Sequence, residues 1–278
     1  MKSLVGGSSV VPDTSRPTKS TLADQKPKPT DVSRIMKIAK DFLRSRNYVD
    51  AEDCLRTILA EHPRDKHAVS MLIKVLSKAG RIDGAEQVFN DAVEIGATDT
   101  YVFGSMIDAF IRKCNVTKAM AVFENAKEHG AADAHIYNSV ICLFRRTGNV
   151  EAAREVFDHA VECGLADEYI YTTMTDIYGK AGMIIQAENL FSDSIDLFGP
   201  NKHIYTCMIG AYGRASQIQK ARALFAQAVD HGFADTFVFT AIITVYKKLG
   251  MPEEAQRLYD QANILGLCDS FMGHILTS

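Results

Sequence analysis

The 278 residues contain no tryptophan, only seven prolines and no apolar run long enough to span a bilayer, which argues against a membrane protein. Excess charge of one sign is missing as well. A formal net charge of -3 argues against indiscriminate binding to polyanions and leaves a local basic stripe as the means of holding one. The six cysteines, Cys54, Cys114, Cys142, Cys163, Cys207 and Cys268, form no CxxC pair, so reduced intracellular thiols are expected and a zinc site is not. HExxH, GxSxG, a glycine-rich phosphate loop and the His-x-Glu with CxxC deaminase pattern are all lacking. The expectation is therefore no catalytic residue, no metal, no cofactor and no small-molecule substrate.

What the chain does have is a repeat. From Val32 onward an alanine recurs every 34 residues, at Ala51, Ala85, Ala119, Ala153, Ala187, Ala221 and Ala255. Four residues after each stands a large apolar residue (Leu55, Phe89, Phe123, Phe157, Phe191, Phe225, Tyr259), and three later a small one at Ala92, Ala126, Ala160, Ser194, Ala228 and Ala262. Spacings of four and three mark one face of a helix. An earlier stripe in each unit, such as Tyr137, Val140, Ile141 and Phe144, marks a second buried face. Gly80, Gly148, Gly182 and Gly250 sit between the two stripes, with Cys114 and Ser216 replacing glycine in two units; Gly96, Gly130, Gly164, Gly232 and Gly266 follow the second stripe. Each unit reads as a helix-turn-helix hairpin. A single hairpin leaves one face uncovered, so the predicted fold is all-α: a right-handed α-solenoid of about seven stacked hairpins over residues 32–278, ending in a partial helix from Ser270. Residues 1–31, rich in Ser, Thr, Pro, Gly and Lys, read as a disordered tail.

The unit Tyr137 to Asp167, YNSVICLFRRTGNVEAAREVFDHAVECGLAD, resembles the pentatricopeptide repeat, with a 34-residue period in place of the family's more usual 35. The rival is the tetratricopeptide repeat, which has the 34-residue period and the same Ala, aromatic, Ala spacing. Ile73, Ile107, Ile141, Ile209 and Ile243 stand where the rival places a small residue, which favours the pentatricopeptide resemblance. It implies a sequence-selective single-stranded RNA-binding protein acting in RNA processing, stability or translation, in a mitochondrion or plastid if eukaryotic and otherwise in the cytoplasm. The alternative is a tetratricopeptide-like protein-interaction scaffold. A partner protein or a second copy is a further expectation, at the carboxy-terminal end of the array.

Two phases of the repeat are not needed for packing. Two residues before each inter-helix turn residue is a cation: Arg44, Lys78, Arg112, Arg146, Lys180, Arg214 and Lys248. Such a ladder suits a phosphate backbone, and equally each cation suits the negative end of a helix dipole. Near the start of each first helix is a ring: His67, Tyr101, His135, Tyr169, His203 and Phe237, with Phe271 continuing the series. Exposed rings stack on unpaired bases; buried ones would pack between units. In the family each base is read by a polar first-helix residue together with the last residue of the unit. By that resemblance the pairs are Ser70 with Asp99, Gly104 with Asp133, Asn138 with Asp167, Thr172 with Asn201, Thr206 with Asp235 and Thr240 with Asp269, giving 5′-G-x-U-A-G-G-3′. Each closing residue is also a natural helix N-cap.

Overall fold

From the second unit to the seventh, helix length is set by the same two devices. A carboxylate or amide starts the first helix and a left-handed residue stops it. The computed structural model describes residues 32–277, so the expected amino-terminal tail lies outside the described residues. In chain order the helices are α1 (Val32–Arg44), α2 (Tyr48–Glu61), α3 (Lys66–Lys78), α4 (Ile82–Glu94) and α5 (Thr100–Arg112). Then come α6 (Val116–Glu128), α7 (Ala134–Thr147), α8 (Val150–Glu162), α9 (Glu168–Lys180) and α10 (Ile184–Phe198). The last are α11 (Lys202–Arg214), α12 (Ile218–Asp230), α13 (Thr236–Lys248), α14 (Pro252–Ile264) and α15 (Ser270–Thr277). No strand occurs among the described residues.

Odd-numbered helices are the first of each unit and even-numbered ones the second. At the turns between them Gly80, Gly148, Gly182 and Gly250 have positive φ, and so do Arg46, Cys114 and Ser216 at the same phase (φ 60, 53 and 56). The repeat geometry thus overrides residue preference, at roughly 1–2 kcal/mol per non-glycine residue. Five second helices close alike, with the N–H of Ala97, Ala131, Leu165, Phe233 and Leu267 reaching back to the carbonyl five residues earlier at 2.7–2.9 Å.

The units stack through their rings. Five successive junctions each place a second-helix phenylalanine edge-on to a ring of the next first helix: Phe89–Phe103, Phe123–Tyr137, Phe157–Tyr171, Phe191–Tyr205 and Phe225–Phe239, at 5.0–5.5 Å. Each such pair contributes about 0.5–1.5 kcal/mol beyond its area burial. The alanines beside them, Ala85, Ala119, Ala153, Ala187 and Ala221, are fully buried, which lets the helices approach.

First helices touch their neighbours, whereas second helices pack on first helices and are bridged to one another by long charged side chains. The layer with the closer spacing is the inside of the curve, so the first helices line the concave side. Spacing within that layer is uneven. Packing is closest at α3–α5, α9–α11 and α11–α13, where the penultimate residue of the earlier helix is Ser77, Gly179 or Gly213. At α5–α7 and α7–α9 the residue before the ladder cation is Ile111 or Arg145, and the helices stand further apart. The first unit also differs: α3 leans on α2 more than on α1.

Candidate nucleic-acid interface

A ring at the second position and a cation at the thirteenth position of a first helix are eleven residues apart, about 16 Å along the axis and on nearly the same face. Two parallel rows result, one at each end of the first-helix layer. The ring row is open: Tyr101, Phe237 and Tyr169 are 73%, 65% and 58% exposed, and His67, His135 and His203 are exposed too. Packing between units is therefore not what these rings do; that work belongs to the buried rings two residues further on. The side chain of Phe271 lies outside the described residues.

Every closing residue is an N-cap. Oδ1 of Asp65, Asp99, Asp133, Asp167, Asn201, Asp235 and Asp269 accepts from the backbone N–H three residues on, at 2.7–3.0 Å. The second carboxylate oxygen of Asp65, Asp99, Asp133, Asp167 and Asp269 then remains for another partner, whereas Asn201 Nδ2 donates to Glu168 at 3.5 Å and Asp235 Oδ2 lies 3.0 Å from Nζ of Lys202. The closing residues sit at the starts of the first helices, alongside the rings, so capping fixes the side chains and leaves them a second polar atom.

The first-helix residues proposed to face these caps are not equivalent. Asn138, Thr172, Thr206 and Thr240 are half-buried, while Ser70 is buried and donates its hydroxyl to the carbonyl of His67 at 3.1 Å. Thr206 and Thr240 donate to the carbonyls of Lys202 and Thr236 at 2.7 and 2.6 Å, so only their lone pairs face outward for a ligand. Asn138 Oδ1 is a buried acceptor with no partner, a costly state that an incoming donor would relieve. Gly104 presents no side chain.

The cation row is already partly engaged. Arg112 donates to Ser77 Oγ at 2.6 Å, Arg146 to the carbonyl of Ile111 at 3.2 Å, and Arg214 to the carbonyl of Gly179 at 3.0 Å. Each arginine thus grips the end of the preceding first helix. Sequence reasoning missed this clamp, because its signal is only a spacing of 35 residues between a guanidinium and a helix terminus. Asp176 adds a second engagement: Lys180 lies 2.6 Å from it, Arg145 3.5 Å and Arg214 3.8 Å. Arg44 pairs with Asp41 at 3.2 Å. Lys78 and Lys248 are exposed and make no ion pair or hydrogen bond among the described residues.

Most exposed carboxylates lie on the second helices, together with cations such as Arg154 and Arg222. Asp91, Glu94, Glu124, Glu128, Glu151, Glu155, Asp158, Glu162 and Asp193 are exposed on second helices. Glu86 and Glu188, in the same layer, are tied to Lys118 and Lys220 of the next unit at 2.6 and 2.7 Å. The hydrogen bond from Lys220 holds the Glu188 carboxyl below its ordinary value. Glu52 is pushed up by burial, but Arg56 and Arg81 outweigh this and leave it lowered. Neither a group of His, Cys, Asp and Glu suited to a metal ion nor a helix long and apolar enough to cross a membrane occurs among the described residues.

A family model described as the PPR repeat matches the chain five times, at residues 101–130, 135–165, 169–196, 203–233 and 237–266, which together make up more than half of it. A tetratricopeptide repeat model matches residues 42–106. Among solved structures, the chain is similar to the pentatricopeptide repeat protein PPR10 in complex with an 18-nt psaJ RNA element: TM-score 0.71, 19% identity, 92% of this chain and 38% of that one. A structure of PPR10 from maize gives a TM-score of 0.61 at 19% identity, covering 92% of this chain and 39% of that one. A tetratricopeptide repeat protein from Parabacteroides merdae gives 0.56 at 13% identity, covering 89% of this chain and 98% of that one. The chain thus spans less than two fifths of the length of the PPR10 structures. No curated protein matches the sequence.

Proposed function

Because the chain belongs to the pentatricopeptide repeat family, we propose that it binds single-stranded RNA along its first-helix layer, one base per unit, and acts on a transcript by occupying it, without chemistry of its own. The observation that carries this reading is the open ring row: six exposed rings at one phase of the repeat, each beside a closing residue that caps its helix. Stacking of a base on such a ring is worth about 1–3 kcal/mol. That most exposed carboxylates lie on the second helices supports it, since a polyanion is repelled less from the first-helix side. PPR10 was crystallised with an RNA element, which supports the same partner here. Under this reading the protein acts in RNA processing, stability or translation, in a mitochondrion or plastid if the host is a eukaryote.

The test is fluorescence anisotropy with an oligonucleotide carrying 5′-G-x-U-A-G-G-3′ and a scrambled control. Affinity for the designed site should exceed the control and fall with salt, with a slope of roughly -0.7 per phosphate contacted. Absence of binding at low salt would overturn the reading. The tetratricopeptide match to residues 42–106 favours a protein-interaction surface for the first units alone.

A further inference from the structure

Both carboxylate oxygens of Asp235 are occupied. Oδ1 caps α13, accepting from the N–H groups of Phe237 and Val238 at 3.0 Å each. Oδ2 lies 3.0 Å from Nζ of Lys202. Lys202 is the first residue of α11, so this pair joins the first residue of one unit to its last. The same position elsewhere holds Lys66, Thr100, Ala134, Glu168 and Thr236. Glu168 also reaches its closing residue, accepting from Nδ2 of Asn201 at 3.5 Å. Thr236 donates to the carbonyl of Leu267 at 2.9 Å instead. Among the described residues no bond joins Lys66 to Asp99, Thr100 to Asp133 or Ala134 to Asp167.

We infer that Lys202 is a third base-reading residue of the α11–α12 unit, forming with Asp235 an ordered donor and acceptor for a base edge that sets a carbonyl beside an N–H. This rests on the RNA-binding reading above. An ammonium offers donors only and an ionised carboxylate acceptors only. Side by side they match O6 and N1–H of guanine, or O4 and N3–H of uracil. Adenine and cytosine, whose edges set an amino group beside a ring acceptor, present the same two kinds of group in the reverse order, so the order in which Lys202 and Asp235 meet the edge separates them from guanine and uracil. Guanine ranks first, because its second amino donor gives the carboxylate another partner and uracil has none. A lone carboxylate accepts from any of these donors, the amino groups of adenine and cytosine included. Lys202 therefore adds the donor whose fixed place beside Asp235 gives the pair an order, and that order is what discriminates against those two bases. The pair is accessible to a ligand, with side chains 43% and 28% exposed. An ion pair so exposed contributes little to stability, so a base can open it at small cost.

The test uses the whole chain and four oligonucleotides that differ only at the fifth base of the site. Lys202→Met keeps the aliphatic stem and removes the donor; Lys202→Arg restores one. The native protein should prefer guanine, Lys202→Met should shrink the preference over adenine and cytosine about tenfold, and Lys202→Arg should retain most of it. With a second set of four that differ only at the third base, read by Asn138 and Asp167, selectivity should be the same in all three proteins. If Lys202→Met weakens binding of all four oligonucleotides equally, Lys202 is merely a charge and the inference fails while RNA binding stands. If the native chain binds none of the four at low salt, both fail together.

Discussion

Nε of Arg214 donates to the carbonyl oxygen of Gly179 at 3.0 Å, across the interface between α9 and α11 and 35 residues back in the chain. The contact ties a cation of the ladder to an orphan carbonyl at the end of a helix, where the macrodipole also favours positive charge. Arg146 makes the corresponding contact to Ile111. Lys78 and Lys248, at the same phase, make none among the described residues.

The ladder therefore divides under mutation. Arg146→Ala and Arg214→Ala should each destabilise the fold by about 1–2 kcal/mol, because a buried or half-buried carbonyl loses a charged donor. Lys78→Ala and Lys248→Ala should leave stability within about 0.5 kcal/mol. Under the RNA-binding reading, each lysine variant should lower the salt slope by roughly 0.7. Urea melts and salt titrations of the four variants separate the two roles; equal destabilisation by all four would show that the clamp is not what distinguishes them.

Gly213 lies where α11 and α13 pack most tightly. A Cβ built there falls 2.2 Å from Cγ2 of Val245 and 3.1 Å from its Cβ, so α13 must shift to admit it. Gly213→Ala should cost about 1–3 kcal/mol despite alanine's better helix propensity. Combining it with Val245→Ala should recover part of that loss in a thermal melt. A Gly213→Ala protein as stable as the native one would contradict the close approach of the two helices.

Glu188 accepts from Nζ of Lys220 at 2.7 Å and from the hydroxyl of Tyr212 at 2.9 Å, and its pKa is lowered from the ordinary 4.5, first by the Lys220 hydrogen bond. A folded value below the unfolded one means that the stabilisation is fully present above 4.5 and is lost as the pH falls through the folded value. Native protein should therefore exceed Glu188→Gln in stability at pH ~7, and the gap should close on acidification. A gap that persists unchanged at low pH would falsify the assignment. Glu188 is part-exposed, so the effect should be small and salt-sensitive.

Cysteine reactivity should follow burial. Cys114 and Cys163 are exposed, whereas burial pushes the Cys207 thiol up to about 11. With a maleimide at neutral pH, Cys114 and Cys163 should be labelled rapidly and Cys207 only after denaturation, since the thiolate is the reacting species. Peptide mapping of briefly labelled native protein gives the answer; early label at Cys207 would mean that α11 opens locally.

Much of this was legible from the sequence because the repeat writes each local rule seven times. The 34-residue alanine phase, the ring four residues later and the closing Asp appear in the structure as the fully buried contact, the edge-on ring pair and the helix cap. Each follows from interactions within one helix or between residues at a fixed register, so periodicity suffices to reveal it. The exposed ring row followed in the same way, from its place in the first turn. Tertiary structure alone decided what depends on the distance between helices. Arginines of the ladder turn back to a helix end 35 residues away, Ser70 is buried, and Lys202 occupies the spare oxygen of Asp235. The residue before each ladder cation, small at Ser77, Gly179 and Gly213 but Ile111 or Arg145 between them, sets how closely neighbouring first helices approach. Spacing in the sequence names the face on which a side chain lies; only the packed neighbour determines whether that side chain is free to meet a ligand.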